Sequence, residues 1–262
     1  MELRVDGRRV FAATGGKPFD PELPTVVFVH GAGMDHTVWA LQTRWFAWHG
    51  HSVLAIDLPG HGRSDGPMLT SIPAIADWLL RLVEVTGAGR VSLVGHSMGA
   101  LAALAAAAKA GPEIAAIALL GIGENMPVHP DLLAAARADD PAARDFIVAW
   151  GYGKPAHFGA ARAPGLWMQG GGRTLLAHGP AGALGNDLAA CDAYHDAARD
   201  AEKVRCPAIF IVGARDQMTP PKAAAALARR IADASTVIVP DAGHMMMVEK
   251  PDETLDALID GL

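Results

Sequence analysis

Val91-Ser-Leu-Val-Gly95-His96-Ser97-Met98-Gly99-Ala-Leu-Ala-Ala-Leu-Ala-Ala-Ala-Ala-Lys109 is the stretch whose reading decides the fold. Residues 91–94 form a short apolar run of strand type, and residues 98–109 an alanine-rich run of helix type stopped by Gly111-Pro112. Gly-x-Ser-x-Gly lies between them. A serine on a sharp strand-to-helix turn adopts a strained backbone, and flanking glycines let the chain and its neighbours pass without a clash at Cβ. Such a turn holds the hydroxyl out at the sheet edge. It also places the Met98 N–H at a helix N-terminus, where it can stabilise an oxyanion. Ser97 is therefore the candidate nucleophile. His96, though adjacent, is poorly placed within the turn to act as its base and reads as a packing residue.

Working outward, the same alternation recurs on both sides. Residues 9–14 suggest an opening strand ended by Gly15-Gly16. Residues 25–30 (TVVFVH) and 51–56 (HSVLAI) are apolar runs without polar alternation, as expected of interior strands covered on both faces. Helical spacing occupies residues 38–48 and 72–86, the latter with Ile75, Leu79, Leu82 and Val83 on one face. Residues 114–120 give another strand. After an interval the pattern resumes with a strand at 208–212, a helix at 221–231, a strand at 236–239 and a closing helix at 254–262. Strands alternating with helices imply right-handed crossovers and a parallel sheet.

In the interval the strand signals vanish. It carries Pro127, Pro130, Pro141, Pro155, Pro164, Pro180 and Gly170-Gly171-Gly172, with helical stretches expected at 131–137, 142–150 and 188–202. Long structureless excursions inside compact domains are uncommon, so residues 124–203 read as a mainly helical cap. It is inserted in an α/β core made of residues 1–123 and 204–262.

Composition bounds the partners. The 262 residues are 51% hydrophobic and 19% charged, a balance that suits a folded globular chain. A net charge of −6, with Arg8-Arg9 and Arg229-Arg230 as the longest basic runs noted, argues against a nucleic-acid partner. The N-terminal residues hold no apolar core of secretory length, and no uncharged apolar run approaches a membrane span. Two cysteines, Cys191 and Cys206, do not make a disulfide framework. The expectation is a cytoplasmic protein, monomer or homodimer, that acts on a small molecule and not at a membrane.

A serine hydroxyl needs a neutral imidazole within hydrogen-bond reach, and eleven histidines compete for the role. His244 is singled out because Pro240-Asp-Ala-Gly-His244 leaves the carboxyl end of a strand, the edge on which Ser97 must lie. His36, His49, His51, His61, His129, His157, His178 and His195 lack that placement and read as surface or cap residues, with no metal-ligand spacing among them. The acid should leave an adjacent strand, and Asp216 in Gly213-Ala-Arg-Asp216 does so. The runner-up is Glu124, while Asp241 reads as a turn residue. The turn at His30-Gly31-Ala32-Gly33 offers a second oxyanion N–H, from Ala32.

His30-Gly31, Asp57-Leu-Pro-Gly60-His-Gly62-Arg-Ser64, Gly95-His-Ser-Met-Gly99, Gly213 to Pro220 and Gly243-His244 together resemble the α/β-hydrolase superfamily, in its capped, esterase- and perhydrolase-like branch. They fall in family order from about residue 25 to the end, the insert apart. The resemblance implies a three-layer fold with an eight-stranded, mostly parallel sheet, one antiparallel strand near the start and helices on both faces. It implies no metal and no organic cofactor, and makes His30 and the 57–64 loop structural parts of the active-site floor. A serine at 97 separates the chain from haloalkane dehalogenases and epoxide hydrolases, which carry aspartate there. The function expected is cleavage of small to medium, mostly uncharged carboxylic esters through a Ser-His-Asp triad and an acyl-enzyme. The same triad would serve perhydrolysis or C–C bond hydrolysis, and a ligand receptor on this fold can retain it. Gly33, Trp150, Trp167 and Met245 are the residues expected to line the substrate pocket.

Overall fold

Backbone alternation in a strand sends successive side chains to opposite faces, so a strand apolar at every position must be covered twice. The computed structural model, which describes residues 1–158 and 166–262, shows this arrangement. Its strands are β1 (Glu2–Val5), β2 (Arg8–Ala13), β3 (Thr25–Val29), β4 (Ser52–Ile56), β5 (Val91–His96), β6 (Ile114–Leu120), β7 (Ala208–Gly213) and β8 (Ala234–Val239). Every residue of β3, β4, β5 and β7 is buried. Val27 and Val29 of β3 join one core cluster, and Val26 and Phe28 join another on the opposite face.

All eight strands form one sheet in the order β1-β2-β4-β3-β5-β6-β7-β8. From β4 to β8 every pairing is parallel, while β2 runs antiparallel to both β1 and β4. One strand near the start is thus reversed, and β3, β5, β6, β7 and β8 end on the same edge. This is the three-layer α/β-hydrolase fold.

The core helices are α1 (Ala40–Trp48), α2 (Ile72–Thr86) and α3 (Met98–Lys109). Ser71 caps α2 by accepting the Ala74 N–H at 3.3 Å, and Gly87 ends it in the left-handed region. Between β6 and β7 come α4 (Pro130–Arg137), α5 (Pro141–Gly151), α6 (Lys154–His157), α7 (Met168–His178), α8 (Ala183–Asp192) and α9 (Ala197–Ala201). The chain closes with α10 (Pro221–Ala228), α11 (Met246–Glu249) and α12 (Pro251–Gly261). Apolar residues of α2, α3, α9 and α10 cover one sheet face. Those of α1, α11 and α12 share the cluster on the other face with Leu132, Ile147, Leu176, Leu184 and Leu188 of the insert.

The helical reading of the insert differs from the structure in three places, one of them the short helix α6, which was not expected. The stretch 188–202 is not one helix. It breaks between Asp192 and Ala197, where the Ala193 and Tyr194 amides tighten the turn onto Ala189 O and Cys191 O, and α9 then packs with the core against α3. The third difference is α7, which contains the triple glycine: Gly172 has Tyr152 against it so closely that a Cβ would lie 2.7 Å from the phenol oxygen. Tertiary packing holds that segment helical against its propensity. Among the described residues no helix is long and apolar enough to cross a membrane.

The start of α3 is seated on the end of β3. A Cβ at Gly99 would collide with the carbonyl oxygen of Val29 and lie 2.6 Å from that of His30, and neither backbone atom can move independently. Gly99→Ala should therefore destabilise the fold by about 1–3 kcal/mol, as overpacking does, read as a lowered urea midpoint at unchanged m-value.

Candidate active site

The sharp turn after β5 fixes the first side chain. Ser97 sits at φ 53°, ψ −114°, a conformation that costs a non-glycine residue of order 1–3 kcal/mol. It is held by its N–H donating to Leu120 O at 2.9 Å and by its carbonyl accepting the amides of Ala100 and Leu101. Gly95 must lack a side chain because a Cβ there would run into the carbonyl of Gly99.

The loop after β7 presents Asp216, which is 4% exposed. Its Oδ1 accepts the Met218 and Thr219 amides, each at 2.8 Å. Its Oδ2 accepts the Thr219 hydroxyl at 2.6 Å and lies 2.8 Å from His244 Nδ1. Burial works to raise the Asp216 pKa, but the charge and hydrogen bond of His244, with the donors of Thr219, hold it below the ordinary carboxylate value. An ionised carboxylate can only accept, so His244 Nδ1 carries a proton, and in the neutral imidazole Nε2 is then the bare nitrogen. Nε2 is buried and has no hydrogen-bond partner among the described residues. His244 shares the wall of one cavity with Ser97 and Ala32. Sequence-predicted Ser97, Asp216 and His244 are thus brought together at the carboxyl edge of the sheet. Glu124 is elsewhere, paired with Arg230 at 2.8 Å, and Asp241 is a left-handed turn residue paired with Arg215.

His244 is seated from three sides. His96 Nε2 lies 3.0 Å from the His244 carbonyl, with its Nδ1 buried, and burial together with the His244 charge pushes its pKa down to about 3. A neutral His96 with its proton on Nε2 braces the loop. From the insert, Gly151 O accepts the amides of both His244 and Met245, at 2.8 and 3.1 Å. Glu249 joins the two parts again, one oxygen accepting Gly153 N–H and the other Gly243 N–H.

The loop after β3 forms a turn closed by Met34 N–H to Gly31 O at 3.2 Å, with Gly33 at φ +68°. Among the described residues the amides of Ala32 and Met98 donate to no protein acceptor. His30, buried beneath, has Nδ1 2.9 Å from Gly31 O and accepts Leu58 N–H on Nε2 at 3.1 Å, which ties this loop to the 57–64 segment.

The cavity in front of Ser97 measures about 820 Å³ and is mostly apolar, walled by Met126, Leu132, Phe146, Trp150, Leu188 and Met218. Phe146 and Trp150 stack at 5.3 Å, both partly exposed. Of the four residues expected in the pocket, Trp150 lines it and three do not. Met245 is packed inside the core beside Gly151, and Gly33 lines a separate space of about 230 Å³ behind the oxyanion turn. Trp167 is 60% exposed, its ring carrying the Arg173 guanidinium at 5.8 Å. Of the lining residues missed, Phe146 stands one helical turn before Trp150 and Met218 two residues after Asp216, while Met126, Leu132 and Leu188 stand near none of those noticed. His61 was read as a surface or cap residue and is buried, against Asp187 of α8.

Asp35, His36 and Asp57 place ligand-capable atoms within 4.8 Å of one another. The Asp57 carboxylate is already taken up by His36 Nδ1 and by the amides of His36 and Arg63. A metal there would displace structural hydrogen bonds of the 57–64 loop.

A family model described as the Alpha/beta hydrolase family matches residues 26–257. Over 256 residues the chain is 29% identical to a pimeloyl-[acyl-carrier protein] methyl ester esterase of Chromobacterium violaceum, covering 91% of this chain and 94% of that protein. It is 36% identical over 77 residues to an (E)-2-((N-methylformamido)methylene)succinate hydrolase of Acinetobacter baylyi, so the match spans only 29% of each. Among solved structures it superposes on the enol-lactonase from Burkholderia xenovorans LB400 with a TM-score of 0.88 at 24% identity, covering 99% of this chain and 98% of that one.

Among the described residues the Thr219 hydroxyl is the one side-chain donor that shares Asp216 Oδ2 with His244. Thr219→Val, which keeps the shape and deletes that donor, should lower kcat by roughly tenfold, the worth of one hydrogen bond to a charged group. Steady-state kinetics with separate kcat and KM checks this, since KM should change much less.

Proposed function

Because this chain belongs to the alpha/beta hydrolase family, we propose that it is a serine hydrolase that cleaves carboxylic esters by acyl transfer. The observation that carries the reading is the commitment of His244: Nδ1 is bound to an ionised Asp216, Nε2 has no partner among the described residues, and the residue lines the same cavity as Ser97. In the first step Ser97 Oγ attacks the ester carbonyl carbon and His244 Nε2 takes the hydroxyl proton. Negative charge gathers on the former carbonyl oxygen, between the N–H groups of Ala32 and Met98. Asp216 stabilises the imidazolium, which returns its proton to the departing alkoxide and leaves an acyl-enzyme. Water then enters through the same base, and the acid is released.

The cavity supports an uncharged substrate with a sizeable apolar part. Its volume falls within the range of small-molecule sites, and its walls are largely Met, Leu, Phe and Trp. The charged and basic side chains on its boundary, Asp131 and His129, lie at the exposed start of α4, so a polar end of the substrate would face outward. The name of the Chromobacterium violaceum relative, a methyl ester esterase, is consistent with this bond type.

The test is a chain-length series of p-nitrophenyl esters, wild type beside Ser97→Ala. Turnover should fall by about 10⁴- to 10⁶-fold in the variant. Phe146→Ala should move the preferred acyl length upward by opening the wall. Ester turnover that persists in Ser97→Ala would exclude the reading. Failure on every ester with cleavage of a diketone would replace it by C–C bond hydrolysis.

A further inference from the structure

Behind the oxyanion turn lies a buried carboxylate that the chemistry above does not use. Asp187, on α8 of the insert, is 1% exposed. Its Oδ2 accepts the Gly33 N–H at 2.8 Å and lies 2.9 Å from His61 Nε2, while its Oδ1 accepts the Asn186 side-chain amide at 3.0 Å. His61 is buried as well, and its Nδ1 stands 3.1 Å from Pro59 O. Both ring nitrogens therefore face acceptors, one a carboxylate and the other a carbonyl. Only the imidazolium, with a proton on each nitrogen, satisfies both.

The groups around His61 agree with that charge. Asp187 faces it from α8, Asp57 acts on it from the loop after β4, and the His30 ring, just past β3, lies tilted against it at 5.1 Å. Burial works to lower the His61 pKa, but the hydrogen bond and charge of Asp187 reverse it, with a net rise above the ordinary 6.5. His30 goes the other way, held down to about 4 by burial and by the His61 charge.

The pair decides which amide of the oxyanion turn is free. Met34 N–H is used within the turn and Gly33 N–H by Asp187, which leaves the amide of Ala32. Gly33 is also wedged: a Cβ on it would stand 3.1 Å from Leu184 Cδ1 of α8 and 3.3 Å from Leu176 Cδ2 of α7. The turn is braced from behind by the insert.

We propose that Asp187, charge-paired with His61, is a positioning residue through which the cap sets the oxyanion turn, so that seating α8 and orienting the Ala32 N–H are one event. The proposal rests on the acyl-transfer reading of the site. It has a pH signature of definite sign. Since the folded state favours charged His61, the bracing is complete below the ordinary imidazole pKa and is lost as pH rises through the raised folded value. The decline lies on the alkaline side.

The experiment compares wild type, Asp187→Ala, Asp187→Asn, His61→Gln and Ser97→Ala on one p-nitrophenyl ester, and on a trifluoromethyl ketone, whose adduct with serine places an anionic oxygen in the hole. Asp187→Ala should lower kcat by about 10- to 100-fold, somewhat less than deleting an oxyanion donor outright, with KM within about threefold. Its affinity for the ketone should fall by the same factor as kcat/KM. Asp187→Asn, which keeps an acceptor for Gly33, should recover most of kcat. Both it and His61→Gln should lose the alkaline decline of the wild type, because without the Asp187 charge burial keeps His61 neutral, and a glutamine has no proton to lose. A folded Asp187→Ala with wild-type kcat and ketone affinity would overturn the proposal. If that variant does not fold, an alkaline decline unchanged in both Asp187→Asn and His61→Gln would overturn it. Undiminished hydrolysis by Ser97→Ala would instead bring down the acyl-transfer reading itself.

Discussion

The amino end of α3 approaches the carboxyl end of β3 so closely that no side chain fits between them, and Ser97 is carried on that contact with a backbone it would not otherwise adopt. The serine hydroxyl, the Met98 amide and the neighbouring turn after β3 are all positioned by it. Strain at one residue persists because the surroundings over-determine it: β5 is hydrogen-bonded on both sides, the Ser97 amide is held by β6, and the alanine-rich helix packs flat on the sheet.

Around that fixed point the insert acts as part of the site's framework. On the side of the base, the Gly151 carbonyl takes two amides of the His244 loop, and Glu249 spans Gly153 and Gly243. Burial raises the Glu249 pKa, and the amides it accepts oppose that rise. On the opposite side Asp187 reaches the oxyanion turn. Both links use a carboxylate to satisfy backbone N–H groups that would otherwise be buried without an acceptor, which is costly. The segment that walls the cavity in front of Ser97 is thereby joined to the two loops that carry the proposed chemistry.

The buried histidines show how environment divides one residue type into different tasks. His30 and His96 lie among hydrogen-bond partners that neutral rings satisfy, and burial pushes both far below the usual imidazole range. His61 meets a carboxylate and a carbonyl and is raised instead. His244 has a carboxylate on one nitrogen and no partner among the described residues on the other. The number and kind of acceptors account for the opposite shifts of His61 and of His30 and His96, since desolvation penalises the charged form of all three.

Much of the fold was legible in the sequence because its signals are local. Apolar runs ended by Gly or Pro, followed by helical periodicity, mark strands and crossovers. Ser97, Asp216 and His244 each stand within a few residues of a strand's carboxyl end, so their common edge could be read before their contacts were known. Strand β1 was missed, since four residues with a partly exposed pattern carry little signal. The cavity wall was only partly legible: the sequence marks Trp150 as a large apolar residue, but cannot say that Trp167 faces solvent or that Met245 turns into the core. Least legible was the pair His61 and Asp187, which are 126 residues apart. Neither sits in a periodic pattern that announces the other. The sequence by itself determined the order of strands and turns and the residues at their ends, because backbone propensity and apolar patterning act over a few residues. Only the tertiary structure decided which side chains face the cavity and which charge is buried against which, because those depend on how distant segments are rotated and seated once the sheet has formed.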